Sequence, residues 1–234
     1  MTDALTARFF RREIPWDVYR ADLRIVPPEG IEPPEGQYNI APSQACPIIK
    51  TSQPGLYEGD YAPDGRAMML PAFWGLIPAW AGPRATFGKK PFSSFTARAD
   101  QVEENPAFSG AFRHGRCLVP ASGFYAWSNG TPFAFASRKA SWFCFAGLWS
   151  RAMVDGSEFD TFALITTEPN AVVAGLATSM PVILERRECL AWLDPYTRDH
   201  LALLKPFPGD VMHGWPANPA VGNVRNQGVE LLGE

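Results

Sequence analysis

An excess of positive charge is the first thing missing: 21 Lys and Arg stand against 24 Asp and Glu, a formal charge of −3. That excludes a uniformly basic nucleic-acid-binding surface, though a local cationic cluster on an otherwise acidic protein can still hold phosphate. Histidine is scarce. His114, His200 and His213 form no recognisable nucleophile–base arrangement and read as surface or internally satisfied side chains. Cys46, Cys117, Cys144 and Cys189 are far apart, with no Cys-x-x-Cys pair and no His at zinc-ligand spacing. Neither a disulfide framework nor a metal site is therefore signalled, no cofactor is expected, and the four read as reduced, mostly buried thiols. Long apolar runs are absent too. The most apolar stretch, Met68 to Gly82, is too short to span a bilayer and is cut by Pro71 and Pro78. Met1 to Arg12 carries Asp3 and three Arg without an apolar segment, so no secretory signal is read there and a cytoplasmic location is expected.

What is abundant is core material and turn chemistry. The apolar share of 46% is ample for a continuous core, and 23 Pro with 20 Gly spread along the chain imply many short elements. Together they predict a strand-rich α+β fold, and without a linker, repeat or low-complexity segment the expectation is one domain over residues 1–234. Trp16, Tyr19 and Leu23 on helical spacing predict a short helix over Ile14 to Leu23, with Pro15 in its first turn. Strands are predicted at Cys46–Lys50, Arg66–Leu70, Arg116–Val119, Gly123–Trp127, Pro132–Ala136, Trp142–Leu148 and Thr161–Thr167, where β-branched and aromatic residues concentrate. Gln101 to Phe112 reads as a helix broken by Pro106. Thr167 and Pro169 read as a helix start into Ala171–Ala174, and two more short helices are expected at Glu188–Leu193 and Arg198–Leu204. Trp80, Trp127, Trp149 and Trp192 are assigned to the core, and Cys117 to an inert position within an apolar strand.

Six segments occur in a characteristic order: Tyr38-Asn39-Ile40-Ala41-Pro42, Trp74-Gly75-Leu76-Ile77-Pro78-Ala79-Trp80, Ala97-Arg98-Ala99-Asp100, Arg116 to Trp127, Phe145-Ala146-Gly147-Leu148-Trp149, and Met180-Pro181-Val182-Ile183-Leu184 leading to Ala191-Trp192-Leu193. In this the chain resembles the SRAP family, the SOS response-associated peptidases or abasic-site processing proteins. The resemblance implies a barrel-like core of mixed and antiparallel sheets with short peripheral helices. Intact members are similar in using an N-terminal Cys to trap the ring-opened aldehyde of an abasic site in single-stranded DNA. The α-amine forms an imine and the thiolate closes it into a thiazolidine, so amine and thiol must sit on one residue.

At four positions that chemistry is vacated. The family's N-terminal Cys slot falls on Thr6 in Leu5-Thr6-Ala7-Arg8-Phe9, which has a hydroxyl for a thiol and five residues before it. The family's Asn falls on Thr96, the Glu of its Gly-Phe-Tyr-Glu-Trp motif on Ala126, and the His of its His-Asp-Arg-Met-Pro motif on Ala177. Alanine has no titratable atom, so general acid–base catalysis, worth ~10²- to 10⁴-fold per group, cannot come from either alanine. The resemblance thus implies a pseudo-enzyme with no intact catalytic residue. What it leaves for single-stranded or abasic DNA as a partner is recognition: Arg8 and Arg98 as phosphate contacts, Phe73 and Trp74 as base stackers, and Asn39 as a hydrogen-bonding group whose turn-stabilising role competes with DNA contact. Two alternatives are an active member that forms covalent abasic-site cross-links or has a peptidase-like self-processing activity through an unorthodox nucleophile, with Lys89 or Lys90 as a Schiff-base former, and a protein- or ligand-binding module on the vacated pocket.

Overall fold

The structure, a computed structural model, describes residues 9–23, 25, 36–51, 67–81, 94–154 and 156–233. Thirteen strands and three α-helices are seen among them. In chain order they are β1 (Phe9–Arg12), α1 (Trp16–Leu23), β2 (Gln37–Ile40), β3 (Ala45–Thr51), β4 (Ala67–Trp74), β5 (Thr96–Arg98), α2 (Ser109–His114), β6 (Arg116–Ala121), β7 (Gly123–Ser128), β8 (Thr131–Ser137), β9 (Phe143–Val154), β10 (Ser157–Thr167), β11 (Met180–Pro181), β12 (Ile183–Leu184), α3 (Arg186–Leu193) and β13 (Met212–Pro216).

Five strands close on themselves: β10 pairs with β4, β4 with β3, β3 with β6, β6 with β9, and β9 back with β10. Closure removes exposed edges from this ring. Strand β5 adds to β10 in parallel, β11 adds to β10 and β12 to β9. A second, antiparallel sheet runs β13-β8-β7-β1-β2. Only Ser122 separates β6 from β7, so one continuous chain passes from the ring into the second sheet. Gly123 makes that corner possible, because a Cβ there would collide with the Arg11 side chain and the Phe135 carbonyl.

Alternation along the strands sorts apolar side chains into two layers. Phe10, Ile48, Trp74, Val119, Phe124, Phe135, Phe145 and Phe162, from both sheets, form one cluster. Ile49, Leu118, Ala146, Leu148, Ala163 and Ile165 face the other way and meet Trp16 and Tyr19 of α1, Phe112 of α2 and Trp192 of α3. The helices therefore cover the outside of the ring. Arg116 ties two of them down: its guanidinium donates to Trp192 O at 3.0 Å and Phe112 O at 2.7 Å, satisfying carbonyls at the ends of α3 and α2. Arg116→Met keeps the aliphatic packing and leaves those carbonyls unpaired. It should lower stability by about 2 kcal/mol in a urea titration, and an unchanged midpoint would contradict the role.

The predicted strands are all present, several of them longer than expected; β9 runs on through Val154, pairing over its length with β10. Helix α1 begins at Trp16 and α3 at Arg186. Two helix expectations are corrected. Residues 171–174 form a turn instead, because the Asn170 side chain accepts from Val172 N and Val173 N and closes the backbone locally. Arg198 to Leu204 is reduced to a 3₁₀ turn at Leu201–Leu203, and the Thr197 hydroxyl before it donates back to Ala191 O at 2.7 Å. Beyond Pro106 the broken helix is confined to α2.

Candidate functional site

Two of the four vacated positions belong to one extended apolar cluster, and a third pairs with one of its members. Ala126 is 1% exposed and shares it with Phe124, two residues earlier on β7. Across the strand pair Ala126 faces Phe133, which is partly buried against the same cluster. Ala177 is 9% exposed and belongs to it too. Its approach is built by Asn170, whose Nδ2 donates to Phe207 O at 2.7 Å while the backbone turns back through Val173 O to Ala177 N at 2.9 Å. Thr96 pairs with Leu164, a member of that cluster, and laterally paired residues share a sheet face. Thr96 is half-buried there. Partly buried Phe95, Val172 and Leu176 pack against the same cluster. Thr6 and Arg8 lie outside the described residues, as do Lys89 and Lys90.

Arg98 follows Thr96 on the same face of β5, paired with Thr166. Its side chain is exposed, and its guanidinium holds Asp100 in a two-pronged pair at 3.0 and 2.7 Å. That hydrogen-bonded pairing raises the Arg98 pKa and lowers that of Asp100. The two residues line a cleft of about 380 Å³ with Thr166, Thr167, Glu168 and Ser179. Its charges are mixed, so a phosphate entering it must compete with Asp100 for Arg98.

The other recognition candidates sit differently. Trp74 is fully buried, stacks at 6.2 Å on Phe162 and donates its indole N–H to Phe95 O at 2.8 Å. It is a core residue and offers no face to a base. Phe73, its neighbour on β4, points to the opposite side of the sheet and packs edge-on against Phe159 at 5.5 Å. It is half-exposed, yet it does not face the cluster that holds Ala126 and Ala177. Asn39 is fully buried, and its amide donates to Val221 O, Asn223 O and Asn226 O at 3.0, 3.1 and 3.3 Å. It is a latch for the C-terminal segment. DNA contact at Trp74 and Asn39 is thereby corrected: neither side chain reaches solvent.

Reactive groups elsewhere are disarmed. Burial holds Cys117 and Cys144 well above the ordinary thiol range and pushes Cys46 up to about 12, so none of the three supplies a thiolate near neutrality. Lys50 is buried, with Nζ 2.7 Å from Asp160 Oδ2 and 3.5 Å above the Trp149 ring; Arg151 Nε lies 2.9 Å from Asp160 Oδ1. So paired and buried, the Lys50 ammonium is not presented to an incoming substrate.

One residue was misassigned from sequence. Trp80, placed in the core above, is 62% exposed, and its indole N–H donates to Pro106 O at 3.1 Å. The signal was available: Pro78 on one side and Gly82-Pro83 on the other bracket it as a turn residue.

The family description "SOS response associated peptidase (SRAP)" matches residues 8–224. The chain belongs to the SRAP family. Among its relatives are the abasic site processing proteins YoaM of Bacillus subtilis, 32% identical over 85% of this chain and 87% of the relative, and YoqW of the same organism, 30% identical over 85% and 88%. The abasic site processing protein YedK of Escherichia coli is 24% identical over 98% of this chain and 92% of its own. A crystal structure of a Bacteroides thetaiotaomicron protein has the same fold, with a TM-score of 0.70 at 22% identity over 98% of this chain and 97% of the other.

Proposed function

We propose that this SRAP protein is a degenerate abasic-site processing protein: it binds single-stranded or damaged DNA without trapping it covalently. What supports the reading is that Ala126 and Ala177 belong to one apolar cluster and that Thr96 pairs with another of its members, Leu164. The relatives named for abasic-site processing supply the DNA context. With alanine at two of the three positions, no group there can take a proton from an attacking amine or return one to a leaving hydroxyl. The Thr6 slot in the sequence offers neither a thiol nor, with five residues before it, a terminal amine. Binding requires less: cations along phosphates, with Arg98 the exposed one beside Thr96.

Two measurements test this. Incubation with abasic single-stranded DNA and separation on a denaturing gel should give no shifted band; a heat-stable adduct would refute the loss of chemistry. In a fluorescence-anisotropy titration the chain should bind a single-stranded oligonucleotide at low salt, and Arg98→Ala should weaken it about fivefold while reducing the salt slope by about 0.7. No binding at low salt, or an Arg98→Ala protein with unchanged slope, would overturn the recognition half.

A further inference from the structure

The geometry points to a base-stacking slot built on Trp80, separate from the vacated positions and lined by none of them. A cleft of about 210 Å³ opens between Trp80 and α2, walled by Trp80, Pro106, Ala107, Gly110, Ala111 and Trp149. One wall is an indole that is 62% exposed yet held in orientation by its N–H bond to Pro106 O. The facing wall is made of small residues of α2 and the turn before it, so a flat ring can approach closely. Its volume and apolar lining suit a single planar heterocycle.

Large exposed indoles cost apolar hydration, and one fixed by its own hydrogen bond has little side-chain entropy left to lose on stacking. The helix that forms the facing wall selects the occupant: its last turn carries the basic residues Arg113 and His114, both exposed, and His114 lines the cleft. An aromatic platform facing a helix whose last turn is basic matches a nucleobase with its backbone phosphate alongside, the combination that binds single-stranded nucleic acid without sequence preference. The inference rests on the non-covalent DNA-binding reading above and adds where a base is held.

The test keeps the two apart. With the full chain and a fluorescein-labelled oligothymidylate, Trp80→Ala should weaken binding about tenfold, while Trp80→Phe should retain most of the affinity. Gly110→Leu leaves Trp80 intact and fills the slot instead. A Cβ at Gly110 meets nothing within 4 Å, and leucine favours a helix over glycine, so this variant should fold at least as well as the parent and still bind about tenfold more weakly. A 5-bromouracil-substituted strand, irradiated on the wild type, should cross-link to the peptide containing Trp80. If Trp80→Ala and Gly110→Leu both bind like the parent, or the photoproduct maps elsewhere, the slot is refuted while DNA binding stands; a peptide-binding role for the cleft would give that same result. If the parent binds no single-stranded DNA, both readings fall, and Arg98→Ala reports on the first alone.

Discussion

Ala126→Glu should destabilise the protein by about 3–5 kcal/mol near neutral pH and should not restore covalent trapping of abasic DNA. The position is 1% exposed, with Phe124 and Phe133 as its near neighbours on β7 and β8. Neither Ala177 nor Thr96 brings a charged side chain to the cluster that holds Ala126. An ionised carboxylate at Ala126 would thus lose water and gain little, and each unit by which burial raises its pKa costs about 1.4 kcal/mol. The sign follows from linkage. A glutamate whose folded pKa lies above its unfolded value of about 4.3 binds its proton more tightly when folded, so the charge penalty is absent below about pH 4. It grows as pH rises through the unfolded value and is complete above the folded one. Urea titrations at pH 4 and pH 7.5 separate this from crowding: Ala126→Met adds bulk without charge and should cost a pH-independent ~1–3 kcal/mol. A Glu variant as stable as the parent at both pH values would mean that the site still houses a carboxylate, and the case for lost acid–base chemistry would weaken accordingly.

That expectation depends on a convergence which the sequence indicated only through order. Thr96, Ala126 and Ala177 are thirty and fifty-one positions apart along the chain, and no periodicity within a segment says that they meet. Their motifs supplied the expectation; in the fold Ala126, Ala177 and Leu164, the β10 partner of Thr96, belong to one extended apolar cluster drawn from both sheets. Strands were readable because β-branched and aromatic residues cluster with clear punctuation, as in Arg116 to Trp127. The helix expected after Pro169 failed because Asn170 bonds its own backbone, a local competition that propensity averages over. Burial was less legible than element type. Trp74 and Trp80 lie six residues apart in one motif, yet one is sealed against Phe162 and the other stands in solvent. The difference is set by strand end and turn, which tertiary packing decides. The C-terminal strand β13, pairing with β8, was not anticipated, since Met212-His213-Gly214-Trp215-Pro216 carries little strand propensity of its own.

Asn39→Asp should cost more than 3 kcal/mol, and Asn39→Ala about 2–3 kcal/mol, with neither acting first on DNA affinity. The Asn39 amide is fully buried with its nitrogen facing three carbonyl oxygens, Val221 O, Asn223 O and Asn226 O, a set that fixes which way the amide points. The latch is reciprocal. Gln227 Oε1 accepts from Tyr38 N and Asn39 N at 2.9 and 3.2 Å, and its Nε2 donates to Asn39 O at 2.9 Å. These bonds hold the C-terminal segment over the outer face of the second sheet, where Val221 and Leu231 bury Tyr125 and Ala134. Alanine removes the donor and leaves three carbonyls short of a partner. Aspartate is nearly isosteric and sets acceptors against acceptors, with a charge that burial penalises, so it is the sharper substitution. Its penalty should shrink at low pH, where the protonated acid can donate once. Thermal melts would give the order wild type, Ala, Asp, and hydrogen exchange should speed up across residues 221–232 before the ring opens. If Asn39 were instead a phosphate ligand, Asn39→Ala would keep the melting temperature and lose oligonucleotide affinity. That outcome would return the Asn-Ile-Ala-Pro turn to the DNA-binding surface.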